Sequence, residues 1–233
     1  MITVSVLIPA YNEEATILEI LRKVKAVTYK GVKFEVLVID DGSKDHTVEL
    51  LKANPDLYGL FIKMPQNGGK GAAVKAGLSA ATGDYVIFQD ADLEYDPADF
   101  TKMLYPVVEH QADVVMGSRF IAPQYMRVSY FWHKVGNYLI TLIFNTLNNT
   151  TFTDVYSCYL MFRRDLVDAE NLRTYGWEQH AEILSIATQR GEVLYEVPIS
   201  YHGRTYEDGK KIRAQHTIAV IWTMIKMRFF GWQ

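Results

Sequence analysis

The chain has 233 residues, of which 49% are hydrophobic and 22% are charged, and its formal net charge is −3. This composition is that of a globular protein with a sizeable core, and the length predicts one domain over residues 1–233. The net charge argues against general binding of nucleic acid, which normally requires a strongly basic surface. The single cysteine, Cys158, excludes an internal disulfide, and we expect a buried thiol in a protein of a reducing compartment. The start of the chain does not resemble a signal peptide, and no apolar run is long enough for an ordinary transmembrane helix.

Short apolar runs alternate with amphipathic segments along the first half of the chain. Strands are predicted at Val4–Ile8, Phe34–Ile39, Leu60–Met64 and Tyr85–Phe88, and helices at Glu13–Val27, Lys44–Lys52 and Ala72–Ala81. This alternation predicts an α/β fold, with a doubly wound, mostly parallel sheet and helices on both faces.

The second half is less regular. Helices are predicted at Asp99–Glu109 and Glu178–Arg190, and strands at Val114–Met116, Tyr159–Phe162 and Val193–Tyr201. Two apolar, aromatic-rich stretches at residues 127–149 and 214–233 suit helices at a membrane interface, core packing or a homodimer contact.

Three polar clusters each follow a predicted strand: Pro9-Ala10-Tyr11-Asn12-Glu13, Asp40-Asp41-Gly42-Ser43 and Asp90-Ala91-Asp92. Ligands of such sheets bind outside the carboxyl ends of the strands, so we expect the clusters to meet at one edge. Asp90, Asp92 and Glu94 alternate and would share a face in an extended chain. Three carboxylates suit Mg²⁺ or Mn²⁺, although an isolated acidic pair is more often a solvated turn. The position after a fourth strand favours the metal site.

Other residues suit a ligand that carries a base and phosphates. Asp41 either accepts hydrogen bonds from a base or ribose or opens an Asx turn, and Tyr11 is placed to pack on a base. The Asn67–Gly71 segment is not a P-loop, but its glycines permit close backbone approach to an anion, and Lys70 adds a charge. A plain helix-entry loop explains the same glycines.

Cations collect downstream, where arginine side chains suit phosphate oxygens. They are Arg119, Arg204, Lys210, Lys211 and Arg213. Apart from Arg119, they lie in a polar loop that is either a solvated charged surface or a lid that orders on substrate.

Several motifs, taken in order, resemble family 2 glycosyltransferases with the GT-A fold, which is Rossmann-like. They are Val-Leu-Ile-Pro-Ala-Tyr-Asn-Glu-Glu, Val-Ile-Asp-Asp-Gly-Ser, Asn-Gly-Gly-Lys-Gly-Ala-Ala, Gln-Asp-Ala-Asp-Leu-Glu-Tyr-Asp-Pro and Gly-Ser-Arg. The Asp154–Cys158 segment, Glu182 and Val197–Tyr201 followed by Arg204 are similar to the dolichyl- or polyprenyl-phosphate mannose synthase type.

The resemblance implies inverting transfer of a sugar from GDP-mannose or a UDP-sugar to a polyprenyl phosphate. It also implies a peripheral protein on the cytoplasmic face of a membrane, with residues 1–95 binding the nucleotide and 96–213 the acceptor. The donor would be bound by Pro9, Tyr11, Glu13, Asp41, Lys70, Asp90, Ala91, Asp92 and Lys210. The metal would be bound by Asp90, Asp92 and Glu94, and catalysis would depend on Asp92, Arg119 and Arg204.

Two departures from that pattern affect the site. Glu94 stands where mannose synthases commonly have glutamine, and Val155-Tyr156-Ser157-Cys158 replaces a glycine-rich form. One alternative is extension of a glycan at a sugar hydroxyl, which needs a base such as Glu178 or Glu182. A non-catalytic nucleotide- or lipid-binding module and a nucleotidyltransferase are the others.

Overall fold

The computed structural model describes residues 1–121, 131–203 and 215–230. The strands are β1 (Ile2–Ala10), β2 (Val32–Asp40), β3 (Leu60–Lys63), β4 (Tyr85–Phe88), β5 (Val114–Ser118), β6 (Leu160–Arg163) and β7 (Leu194–Pro198). The α-helices are α1 (Ile17–Ala26), α2 (Thr47–Ala53), α3 (Lys70–Ala80), α4 (Phe100–His110), α5 (Phe131–Asn148), α6 (Gln179–Arg190) and α7 (Gln215–Phe229).

The seven strands form one sheet in the order β3-β2-β1-β4-β6-β5-β7. The pairings β1·β2, β1·β4, β2·β3 and β5·β7 are parallel, as predicted. β6 runs antiparallel to both of its neighbours, β4 and β5. The α/β class and the mostly parallel sheet are therefore confirmed.

Alternate residues of each central strand enter two separate cores, one on each face of the sheet. In β1, Leu7 packs into the core formed with α3, α5, α6 and α7, whereas Val6 and Ile8 pack into the core formed with α1, α2 and α4. Burial on both faces explains why these strands appear in the sequence as nearly continuous apolar runs.

The direction of β6 decides what reaches the ligand edge of the sheet. β5 ends at Ser118 at this edge, and β6 begins there because it runs in the opposite direction. The segment that precedes β6 therefore lies beside the carboxyl ends of β4 and β5. This strand was predicted, but its direction was not.

The helices begin later than predicted near the site because polar side chains capture the preceding backbone. Glu13 N–H donates to Thr47 Oγ1 at 2.9 Å, and Glu14 N–H donates to Asp45 Oδ2 at 3.1 Å. These contacts join the turns before α1 and α2, so the helices start at Ile17 and Thr47 rather than at Glu13 and Lys44.

The predicted apolar stretches form α5 and α7, which lie next to each other and bury only part of their surface. Ile140, Phe144, Val220 and Met224 enter the core. The exposed large side chains are Phe131, Trp132, Tyr138, Leu139, Leu142, Ile218, Trp222, Phe229 and Phe230. Neither these helices nor any other helix in the described ranges is long and apolar enough to cross a membrane.

Candidate active site

The polar residues that follow β1 and β2 meet at one edge of the sheet, as predicted. Asn12 N–H donates to Ser43 Oγ at 2.9 Å, and the Asn12 side chain accepts from Lys44 N–H at 2.8 Å. The turn after β2 is opened by Asp40, whose carboxylate accepts from Ser43 N–H at 3.2 Å. The Asx turn thus belongs to Asp40, which leaves Asp41 for other contacts.

Asp41 connects the end of β2 to the glycine segment before α3. Its two carboxylate oxygens accept from Gly68 N–H at 2.8 Å and from Gly69 N–H at 2.9 Å. Burial raises the pKa of Asp41, with a contribution from neighbouring Asp40, although the two backbone hydrogen bonds oppose the shift. Asp41 therefore lies at the predicted edge, with its carboxylate already bound to backbone.

The glycine segment serves close packing within the protein. Gly71 N–H donates to Tyr175 O at 3.0 Å, and a Cβ atom on Gly71 would lie 2.4 Å from that oxygen. Gly69 has a φ of +88°, a conformation that favours glycine. The N–H groups of residues 68, 69 and 71 bind protein acceptors, so the helix-entry interpretation accounts for these glycines.

The other three residues predicted to bind the nucleoside lie at or just beyond the end of β1. Pro9 is within the strand, in register with Ile39, beyond the last β1·β4 pair at Leu7. Tyr11 follows the strand, and Glu13 Oε2 accepts from Thr16 Oγ1 at 2.9 Å. These residues share the edge with Asp41.

Lys70 and Asp90 form an ion pair at the end of β4. The distance from Lys70 Nζ to Asp90 Oδ1 is 2.5 Å, and the exposed fractions of the two side chains are 32% and 16%. Burial alone would raise the pKa of Asp90, but the Lys70 charge and hydrogen bond lower it below its ordinary value. Burial opposes the charge on Lys70, yet Asp90 raises the pKa of the ammonium.

Cys158 also reaches this pair, because it immediately precedes antiparallel β6. Its Sγ lies 3.5 Å from Lys70 Nζ. Burial, followed by the Asp90 charge, raises the pKa of the thiol to about 12, so the thiol is protonated at neutral pH. The expected apolar environment is wrong, since the sulfur contacts two charged groups.

Asp90, Asp92 and Glu94 do not converge on one point. Leu93 has a φ of +62°, so the segment turns and the alternation of an extended chain is lost. Asp92 Oδ1 accepts from Glu94 N–H at 3.1 Å, whereas Glu94 Oε2 accepts from the Tyr201 hydroxyl at 2.9 Å. Within the described residues, no three His, Cys, Asp or Glu side chains are grouped to hold a metal. Ala91, between the aspartates, is buried.

Arg119 is bound by a carboxylate that was not assigned a role from the sequence. Its Nε lies 2.6 Å from Asp154 Oδ2, and its Nη2 lies 2.8 Å from Asp154 Oδ1. Asp154 is completely buried and also accepts from Asn137 Nδ2 at 3.1 Å. Burial disfavours the guanidinium charge, but Asp154 raises the pKa of Arg119 well above its ordinary value.

A chain of contacts connects Arg119 to the acidic segment. The guanidinium carbon of Arg119 lies 5.1 Å from the centre of the Tyr201 ring, and the Tyr201 hydroxyl binds Glu94. The structure thus brings Arg119 and Glu94 together through one aromatic side chain. Four other predicted cations lie outside the described residues: Arg204, Lys210, Lys211 and Arg213.

Residues at the start of α6 form the remaining wall beside Lys70. The Trp177 ring centre is 5.9 Å from Lys70 Nζ. His180 Nε2 is buried and has no hydrogen-bond partner among the described residues. Burial, followed by the Lys70 charge, lowers the pKa of His180 to about 4, so its ring is neutral at pH 7. No sequence motif had indicated either residue.

Glu182, a candidate base of the glycan-extending alternative, is occupied. Its side chain is completely buried, and its oxygens accept from Arg173 N–H at 2.9 Å and from Thr174 N–H at 3.0 Å. The Thr174 hydroxyl donates to it as well. Glu178, the other candidate, is half-buried at the start of α6, where Oε1 accepts from Gly176 N–H at 3.3 Å.

Comparison with known proteins places this site in a family. Residues 5–169 match glycosyl transferase family 2. The hexosyltransferase Agl6 of low-salt glycan biosynthesis from Haloferax volcanii is 31% identical over 208 residues, which are 88% of this chain and 49% of the relative. Undecaprenyl-phosphate 4-deoxy-4-formamido-L-arabinose transferase from Pseudomonas aeruginosa is 34% identical over 171 residues, which are 71% of this chain and 48% of the relative. The chain spans about half the length of these relatives.

The fold is shared with a solved glycosyltransferase. Glucosyl-3-phosphoglycerate synthase from Mycobacterium tuberculosis, crystallised with Mn²⁺, UDP and phosphoglyceric acid, superimposes with a TM-score of 0.72 at 20% identity. The superposition covers 98% of this chain and 79% of that enzyme. At this identity the likeness concerns the fold alone. From the match over residues 5–169 and the curated relatives, the chain belongs to glycosyl transferase family 2, with the GT-A fold.

Proposed function

We propose that this glycosyltransferase moves a sugar from GDP-mannose or a UDP-sugar to a polyprenyl phosphate, with inversion at the sugar carbon. The observation that carries this choice of acceptor is the burial of Glu182 in hydrogen bonds to residues 173 and 174. A sugar hydroxyl needs a base to remove its proton, whereas a phosphate is already anionic at neutral pH. The similarity to an undecaprenyl-phosphate transferase supports the same acceptor.

The donor's nucleoside fits the edge formed by the ends of β1 and β2. Tyr11 and Pro9 would pack against the base, and the carboxylates of Glu13 and Asp41 would accept hydrogen bonds from the base and ribose. Asp41 is well positioned for this role, because Gly68 and Gly69 fix both of its oxygens from one side. A fixed acceptor loses little conformational entropy on binding.

The carboxylates after β4 suit a divalent cation in the chemistry of their atoms. Asp92 would hold Mg²⁺ or Mn²⁺ together with Asp90, since hard cations prefer carboxylate oxygens and retain sites for phosphates. The cation would stabilise the negative charge of the departing nucleoside diphosphate. Glu94 is turned towards Tyr201, so we assign it an electrostatic influence on the site rather than direct ligation.

Arg119 would orient the acceptor side of the site. Asp154 binds one edge of the guanidinium and keeps it charged and rigid. Arg204 and Lys210 are the further cations that we assign to phosphate groups of the acceptor and donor. With an anionic nucleophile, alignment and electrostatic stabilisation would supply most of the rate.

The exposed aromatic residues of α5 and α7 suit attachment to the surface of a membrane. Tryptophan, tyrosine and phenylalanine favour the interface between lipid and water, and Lys226 and Arg228 lie in the last turn of α7. We propose peripheral attachment on the cytoplasmic face, where a lipid-borne phosphate would be within reach. A homodimer contact at the same face is the competing proposal.

The direct test is a screen of labelled GDP-mannose and UDP-sugars against polyprenyl phosphate and against oligosaccharides, with each product identified by mass. We expect glycosylated polyprenyl phosphate from one donor, and none from the Asp92→Asn variant. Product on oligosaccharide alone would overturn the proposal and favour glycan extension with Glu178 as base. Donor binding without turnover on either acceptor would indicate a non-catalytic module.

A further inference from the structure

Lys70 stands at a position where a positive charge is unfavourable. It is the first residue of α3, and the N-terminus of a helix carries a partial positive charge. The first turn of α3 contains no acidic residue to offset it. The compensating anion is Asp90, which comes from the end of β4 and lies 2.5 Å from the ammonium.

The ammonium is held in place, but it is also accessible. Cys158 Sγ lies 3.5 Å from Nζ, and the Trp177 ring centre lies 5.9 Å away. About a third of the Lys70 side chain remains exposed, whereas Asp90 is largely covered. Because a lysine has a flexible four-carbon stem, its charge can move to another anion while the backbone of α3 stays in place.

We propose that Lys70 is a positioning residue that occupies the cation position beside Asp90 until the donor arrives. A divalent cation then binds there together with the donor diphosphate, because the diphosphate gives the ammonium a second anion to contact. The inference rests on the proposed function and adds an order of events to it. Lys70 opposes binding of the metal alone and favours binding of the metal with the nucleotide.

Charge accounts for both effects. Asp90 and Asp92 together carry two negative charges, and the Lys70 ammonium cancels one of them. Removing the ammonium therefore leaves a more negative site that attracts a divalent cation more strongly. The same removal takes away a positive charge that a nucleoside diphosphate would contact. Couplings of this kind between two ligands typically amount to about 5- to 150-fold in affinity.

The test measures Mn²⁺ binding by electron paramagnetic resonance in the full chain, without nucleotide and then with UDP or GDP. The variants are Lys70→Met and the control Lys75→Met, which removes a charge from the same helix where Nζ donates to Leu172 O at 2.7 Å. Without nucleotide, we expect Lys70→Met to bind Mn²⁺ at least about fivefold more tightly than the unmodified protein. We expect Lys75→Met to bind it as the unmodified protein does.

Two further comparisons make the inference falsifiable. The gain in Mn²⁺ affinity should disappear in Lys70→Met/Asp90→Asn, and Lys70→Met should bind UDP and GDP more weakly in the presence of Mn²⁺. An unchanged or weaker nucleotide-free affinity in Lys70→Met overturns the inference. Lys70→Gln, whose amide still donates to Asp90, gives the same comparison where the methionine variant does not fold. Failure of the unmodified protein to bind either nucleotide contradicts the proposed function instead, because the nucleotide-free comparison does not depend on it.

Discussion

Asp154→Asn should destabilise the protein more than any exchange of a surface carboxylate. Asp154 is completely buried, and its carboxylate accepts from the Arg119 backbone at 3.1 Å, from two guanidinium nitrogens and from Asn137. The exchange keeps the size and shape of the side chain, but it removes the negative charge. The guanidinium of Arg119, 18% exposed, would then remain as a mostly buried charge without its counter-ion.

The expected cost follows from that burial. Removing one partner of a buried ion pair typically costs about 3–5 kcal/mol, because the remaining charge is left uncompensated. For a domain of this length, each kcal/mol lowers Tm by about 2–4 °C, so Tm should fall by about 6–20 °C.

The assay is urea and thermal unfolding followed by circular dichroism, with Asp165→Asn as the matched control. Asp165 pairs with Arg163 Nε at the same 2.6 Å, but its side chain is 68% exposed. An exposed pair contributes about 0.2–1 kcal/mol, so the control should unfold almost as the unmodified protein does. Equal losses in the two variants, or a loss below about 1 kcal/mol for Asp154→Asn, would refute the reasoning from burial.

Three other perturbations have defined outcomes. Gly71→Ala should lower the free energy of unfolding by about 1–3 kcal/mol in a urea titration, because its Cβ would lie 2.4 Å from Tyr175 O. Gly136→Ala, in open space on α5, should be neutral or stabilising, and a neutral Gly71→Ala would contradict the packing argument. The pKa of His180 is lowered from 6.5 to about 4, so the unfolded chain binds more protons between these values. Stability should therefore be full above pH 6.5 and fall by up to about 3 kcal/mol as the pH drops to 4, and His180→Gln should flatten this slope in urea titrations. EDTA should abolish glycosyl transfer and Mn²⁺ or Mg²⁺ should restore it, whereas full activity in EDTA would exclude a metal role for Asp90 and Asp92.

The parallel half of the fold was predictable because its signals are local. Each run such as Tyr85–Phe88 is apolar throughout, as expected of a strand covered on both faces, and its predicted bounds match β4. The polar residues after β1, β2 and β4 also follow from topology, since parallel strands end at the same edge. Local pattern was therefore sufficient to find this edge.

The contacts that complete the site were not predictable, because they depend on the direction of β6. A short apolar run shows that a strand exists, but not whether it runs parallel or antiparallel to its neighbours. Nothing in the sequence indicated that Asp154 would bind Arg119 or that Cys158 would reach Lys70. The left-handed conformation of Leu93, which separates Glu94 from the two aspartates, carries no signal either, because leucine rarely adopts it.

The antiparallel direction of β6 also affects how this fold can be varied. The chain leaves the sheet at Ser118 and returns at Leu160 on the same edge, so residues 119–159 form an excursion whose two ends are neighbours. The entropy cost of closing such an excursion rises only with the logarithm of its length. Segments of different length and polarity can therefore replace it between strands whose register stays unchanged. A protein built this way can acquire a new acceptor by exchanging one continuous stretch of chain, while the nucleotide-binding strands keep their sequence.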